Sequence, residues 1–177
     1  AAAAALYALM QRLLRRKQVV LITGASGFLG QHLVKALAGD SRYELHGTYR
    51  GNPSFVEDWG SSIVCHKLAL DDASAVAALI SAVKPNVVVH LGAISSPAKA
   101  EGNAAWAQAV NCPTAMLDAL AADTSVVFLS TDQVYDGLHA PYTETDEAKP
   151  VNVYGQSKLD FERALQERVP GRSISLR

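Results

Sequence analysis

The sequence predicts an α/β chain built on a doubly wound parallel sheet, and three observations carry that expectation. Short apolar, β-branched runs without polar alternation recur along residues 18–177, as strands buried on both faces require. Segments of helical period lie between them. A glycine-rich turn sits at the first junction between the two kinds of segment. Strand and helix alternating at this interval imply right-handed crossovers and a parallel sheet.

The elements follow in order. Residues 19–23 (VVLIT) read as the first strand, and the stretch after the turn as a helix whose stripe is Phe28, Leu29, Leu33, Val34 and Leu37, with Gly39 near its end. Residues 43–49 and 62–68 read as the second and third strands. Residues 71–83 follow as a helix with acids at its start and Lys84-Pro85 at its stop. Residues 86–93 (NVVVHLGA) are the fourth strand. The alanine-rich stretch 104–122 is helical in pattern, with Cys112-Pro113 interrupting or kinking it. Residues 125–130 form the fifth strand, 157–168 a helix, and 173–177 the start of a sixth strand.

Composition narrows the function classes. Of the 177 residues 49% are apolar and 19% charged, which excludes disordered, collagen-like and coiled-coil chains. A net charge of -1 gives no basis for a nucleic-acid or anionic-membrane surface, so small-molecule chemistry is the expectation. Cys65 and Cys112 stand apart from each other and from any paired-His spacing, which points to two free thiols and no metal site. No apolar run approaches the roughly 20 residues of a spanning helix.

Residues 1–17 form a separate segment. An alanine run precedes Leu6, Leu9, Met10, Leu13 and Leu14 at helical spacing, and Arg12, Arg15, Arg16 and Lys17 add +4 with no acid, leaving the body near -5. The pattern has two readings, the tail of an organellar transit peptide or a basic helix docked on the body or on a protein partner. The alanines also fit a placeholder for unassigned residues. The expected compartment is the cytoplasm, or an organelle matrix or stroma under the transit-peptide reading.

Gly24-Ala25-Ser26-Gly27-Phe28-Leu29-Gly30 follows a strand and opens a helix, the context a dinucleotide loop requires. Gly24 permits the tight turn, Gly27 lets a pyrophosphate approach the helix N-terminus, and Gly30 lets helix and strand pack closely. The end of the second strand is where the adenosine ribose is read, by a carboxylate for NAD or a cation for the 2'-phosphate of NADP. Arg50 stands there with no acid in the turn, so NADP is expected and NAD is the alternative.

These glycines, taken with Tyr154-Gly155-Gln156-Ser157-Lys158, resemble the extended short-chain dehydrogenase/reductase family. Residues 131–137 (TDQVYDG), 141–146 (PYTETD) and 150–155 (PVNVYG) are similar to its branch containing dTDP-4-dehydrorhamnose reductase and the regulatory beta subunit of methionine adenosyltransferase. The resemblance runs from about Val19 to Arg177 and implies an NAD(P)-binding Rossmann fold. It also implies roles: Tyr154 as proton donor, Lys158 as holder of the nicotinamide ribose, and Thr131 as the group orienting a carbonyl. Asn111 supports the catalytic groups and Asp71 contacts adenine. Leu91, Gly92, Ala93 and Ile94 flank the two riboses, and Ser26, Phe28 and Leu29 complete the glycine loop.

The residues also speak for themselves. Tyr154 and Lys158, four apart, share a helix face, and an ammonium beside a phenol lowers its pKa toward working pH. Each residue keeps a plainer reading: Tyr154 as a core-edge tyrosine, Lys158 and Arg50 as solvated cations, Asp71 as a helix N-terminal acid, Asn111 as turn chemistry, and His66 and His90 as core or edge histidines. Members of the family continue past the sixth strand into a C-terminal lobe that binds substrate, and this chain stops at Arg177. The resemblance therefore implies either an NADP-dependent oxidoreductase acting on a 4-keto nucleotide sugar or a cofactor-binding, non-catalytic subunit of a larger assembly.

Overall fold

The computed structural model describes residues 17–51 and 59–177. The basic segment expected to be helical therefore lies, but for Lys17, outside the described residues.

Six parallel strands form one sheet in the order β3-β2-β1-β4-β5-β6. They are β1 (Gln18–Thr23), β2 (Tyr43–Tyr49), β3 (Val64–Lys67), β4 (Val87–His90), β5 (Ser125–Leu129) and β6 (Ser173–Leu176). Alternate residues of β1 feed different cores, which is why its stretch from Val19 to Ile22 is apolar without alternation. Val20 and Ile22 pack with Val34 of helix α1 (Phe28–Leu37), Leu45 and Ile63. Leu21 joins Val88, Val126 and Phe128 under Val76 and Ile80 of α2 (Ala73–Val83), Met116 and Leu117 of α5 (Thr114–Asp118), and Phe161 and Leu165 of α6 (Val153–Arg168). Helices thus cover both faces, and the polar edge left to build a site is the rim at the C-terminal ends of the strands.

The ends of the elements follow local chemistry. Asp72, and not Asp71, caps α2 by accepting from the Ala75 N–H at 3.0 Å. Lys84 closes that helix in the left-handed conformation at φ 50°, ahead of Pro85. The long helix expected over 104–122 is two pieces, α4 (Ala104–Asn111) and α5, because Pro113 at the break has no N–H to continue the ladder.

Two elements differ more from the expectation. A short helix, α3 (Pro97–Gly102), occupies a stretch the pattern left without structure; Ser96 caps it and Pro97 takes its first position. Helix α6 begins at Val153, four residues ahead of the expected start. Asn152 is its cap, accepting from the Gly155 N–H at 2.7 Å, and the Glu101 carboxylate takes the Val153 N–H at 2.7 Å. Tyr154 therefore sits in its first turn. Cys65 and Cys112 are free thiols, both partly buried.

Candidate functional site

The rim between β1 and β4 is where neighbouring strands lead their helices to opposite faces, and a cavity of about 140 Å3 opens there. Gly24, Thr48, Arg50, Gly92, Ala93 and Ile94 are among the residues lining it. Gly24 is at φ +68°, and a Cβ on it would stand 2.7 Å from Gly92 Cα, so two backbones meet without side chains between them. Its N–H donates to Thr48 Oγ1 at 3.1 Å. Gly30 also lies against the Gly24–Ala25 backbone, with Ala25 Cα 2.7 Å from where its Cβ would be.

Gly27 differs from both. It is the N-cap of α1, at φ -73°, and a Cβ there would meet only the Gly24 carbonyl, at 3.1 Å. No side chain caps α1 and its first turn holds no acid, so its first N–H groups and positive dipole end face an open approach. That is the chemistry of an anion cradle. Ser26 uses its carbonyl to hold the Gln31 side chain at 2.9 Å, while Phe28 and Leu29 project outward, Phe28 82% exposed.

The β4 rim is held from below. Thr23 Oγ1 lies 2.6 Å from His90 Nδ1 and accepts from the Gly92 N–H at 3.3 Å, and the Leu91 N–H donates to the Thr23 carbonyl. Leu91 itself packs against the core beside Val20 and Ile22. His90 is fully buried between Phe128 and Phe161 with Nε2 unpartnered; burial first, then the Lys158 charge, holds its pKa well below the ordinary value. It is a core histidine.

Beside this cavity stand the residues expected to do chemistry. Asn111 is fully buried and joins the β4 loop to α6. It exchanges hydrogen bonds with the Ile94 backbone and donates to Ser157 Oγ at 2.9 Å, while Ser157 donates to the Tyr154 carbonyl at 2.7 Å. The Thr131 hydroxyl begins the short 3-10 turn Asp132–Val134, accepting from the Gln133 N–H at 3.2 Å. Gly155 makes the approach of α6 to that turn possible, since a Cβ there would overlap the Gln133 carbonyl.

The electrostatics differ from the expected lysine-activated phenol. Burial raises the Tyr154 pKa, with a hydrogen bond from Thr131 acting against it and the Asp132 charge adding to it. Lys158, 2% exposed, has its ammonium 4.2 Å from the centre of the Phe128 ring. Burial pushes its pKa down to about 7, with the Glu162 charge opposing.

At the end of β2, Arg50 is exposed, its guanidinium 3.7 Å from Asp71 and 5.0 Å from the centre of the Trp106 ring. Trp106 Nε1–H donates to Asp71 at 3.2 Å. Asp71 is thus a side-chain partner of the rim. Among residues the sequence reading missed, Thr48 had a signal as the last inward position of β2, and Trp106 as the residue one turn before Val110 on α4. Gly155 stood in the Tyr154–Lys158 motif, but its contact with the Gln133 carbonyl is not visible in that segment.

A second cavity, about 710 Å3, opens on the far side of the Thr131 turn among Asp132, Tyr135, Tyr142, Glu162 and Arg177. One ion pair crosses it: Glu162, 3% exposed, accepts from Ser130 and from Arg177 at 2.6 Å. Among the described residues, no helix is long and apolar enough to cross a membrane, and no group of three or more His, Cys, Asp or Glu is placed to hold a metal ion.

The family described as the RmlD substrate binding domain matches residues 17–176. The chain belongs to this family. Among its relatives this RmlD-family chain is 34% identical over 157 residues to methionine adenosyltransferase 2 subunit beta of Danio rerio, covering 88% of this chain and 46% of that one. It is 34% identical over 162 residues to a dTDP-4-dehydrorhamnose reductase of Aggregatibacter actinomycetemcomitans, covering 89% and 50%. Among solved structures it superposes on the UDP-glucose 4-epimerase of Brucella ovis in complex with NAD, with a TM-score of 0.76 at 25% identity, over 90% of this chain and 51% of that one. The chain spans about half the length of the curated relatives it matches.

Proposed function

We propose that this domain binds a nicotinamide dinucleotide, preferring the 2'-phosphorylated form, and that the whole protein uses Thr131, Tyr154 and Lys158 to reduce a 4-keto group on a nucleotide sugar. The observation that carries the reading is the cradle. The Gly24 and Gly92 backbones are too close for any side chain, and beside them the uncapped N-terminus of α1 faces an approach that Gly27 leaves open. Arg50, at the end of β2, supplies a planar donor fork for a ribose phosphate.

Bound there, the nicotinamide supplies the hydride. The chain supplies position and a proton. Tyr154 gives its Oη proton to the carbonyl oxygen as that oxygen gains charge, and the Thr131 hydroxyl donates a hydrogen bond to the same oxygen. Lys158, held against Phe128, gains hydrogen-bonding partners from ribose hydroxyls, which favours its charged form and lowers the cost of the phenolate. Asn111 keeps the β4 loop and the first turn of α6 in fixed relation while this happens.

The test is a titration of the whole protein with NADPH and NADH, followed by an assay of NADPH oxidation with a dTDP-linked 4-keto-6-deoxy sugar. Binding with turnover is the expected result; failure to bind either nucleotide removes the reading.

A second reading has an observation of its own. Burial raises the Tyr154 pKa and lowers that of Lys158 to about 7, so in the resting site the phenolate left by proton donation would have only part of a lysine charge to stabilise it. Several relatives are methionine adenosyltransferase 2 beta subunits, so a non-catalytic subunit that binds nucleotide and a protein partner is the alternative. Nucleotide binding, no turnover and co-purification with a second polypeptide are its signature.

A further inference from the structure

Three segments far apart in sequence converge beside the smaller cavity. Arg50 comes from the end of β2, Asp71 from the loop ahead of α2, and Trp106 from α4, one turn before the cavity-lining Val110. The indole is half-buried. Its ring lies against the Arg50 guanidinium and its N–H bonds Asp71 Oδ2, the same oxygen that faces Arg50.

Taken alone, the Arg50–Asp71 pair is a weak organiser. The Arg50 side chain is 53% exposed and the separation is 3.7 Å, and water screens such a surface pair. Trp106 changes both partners. A stacked guanidinium keeps its donor edge free while its rotamers are restricted, so less freedom is lost when a phosphate arrives. The indole N–H also occupies part of the carboxylate, which is the competitor of that phosphate for Arg50 and a like charge beside it.

We propose that Trp106 is a specificity-determining residue for the nucleotide, holding Arg50 by stacking and Asp71 by its N–H so that the guanidinium stands ready for a 2'-phosphate. The inference rests on the reading of this cavity as the adenosine end of a dinucleotide site. It goes beyond that reading by placing the phosphate preference in a pair, Arg50 with Trp106, and not in the arginine alone. Trp106→Leu removes stack and N–H together; Trp106→Phe keeps an aromatic face and removes the N–H.

The experiment is titration of the full chain and both variants with NADPH and with NADH, read by nucleotide fluorescence, with thermal melting in parallel. The NADPH-to-NADH affinity ratio falls about fivefold in Trp106→Leu, with NADH affinity unchanged and Trp106→Phe between it and wild type. An unchanged ratio in Trp106→Leu, or equal loss of both nucleotides in both variants, overturns the inference while leaving the cofactor reading standing. A wild-type chain that binds neither nucleotide overturns both, and needs no variant to be recognised.

Discussion

Asn111 and Ile94 exchange two hydrogen bonds, the side-chain oxygen accepting from the Ile94 N–H at 2.7 Å and the side-chain N–H donating back to the Ile94 carbonyl at 3.3 Å. The remaining N–H reaches Ser157 on α6. One buried amide therefore satisfies three groups on two elements, and no apolar side chain can replace it. Asn111→Leu is expected to destabilise the fold by about 2–4 kcal/mol, because the Ile94 N–H loses its partner in a buried setting. Urea unfolding measures this; a change below about 0.5 kcal/mol would show that water takes over the role.

Gly24 and Gly27, three residues apart, separate folding from binding. Gly27→Val is expected to abolish nucleotide binding with the far-ultraviolet dichroism intact, because its φ of -73° suits any residue and the new side chain fills the approach to α1. Gly24→Ala is expected to unfold more readily, since it combines positive φ with a Cβ 2.7 Å from the Gly92 backbone. Retained binding in Gly27→Val makes the loop a plain turn.

Lys158 gives a pH dependence of defined sign. Its pKa in the folded chain is about 7, below the ordinary value of 10.5, so between those limits the unfolded chain binds more protons than the folded one. Stability without nucleotide therefore rises as pH climbs from about 7 toward 10.5, and Lys158→Met flattens that rise. Nucleotide binding in the same range is expected to take up a proton and to weaken as pH rises, which calorimetry in buffers of different ionisation enthalpy detects.

Tyr154→Phe is expected to remove ketone reduction in the whole protein while leaving NADPH affinity within about twofold, because the ring packing is kept and the proton lost. Single-turnover NADPH oxidation is the measurement. Undiminished turnover moves the proton donor to another group.

The sheet was readable because the inner strands β1, β4 and β5 are short, largely apolar runs, and because Gly24 to Gly30 marks the first strand-to-helix turn. The start of α6 was not, since Asn152 and Glu101 cap it together and Glu101 lies about fifty residues away in sequence. Helix α3 was missed for a related reason: six residues give too little periodicity, and its sequence signal is the Ser96-Pro97 start. At the site, Arg50, Gly24 and Gly92 line one cavity. The Tyr154 pKa is raised where the spacing predicts a lowering, because burial, a tertiary quantity, acts on the phenol and pushes Lys158 down to about 7 as well.

The strand order has a consequence for how the chain comes together. β1 is flanked by β2, which follows it closely, and by β4, whose His90 aligns with Thr23 across 67 positions. Of the residues lining the smaller cavity, Gly24, Thr48, Arg50, Leu68 and Leu70 precede β4 in the chain, and Gly92, Ala93, Ile94 and Val110 follow it. During synthesis the β1–β2–β3 portion is complete before β4 exists, so the earlier-made half holds the glycine loop without the Gly92 backbone that Gly24 packs against. Nucleotide capture then reports the joining of the two halves. Refolding followed by bound-nucleotide fluorescence should lag behind the early gain of helix signal, and a saturating nucleotide should slow unfolding by holding the seam between β1 and β4 closed.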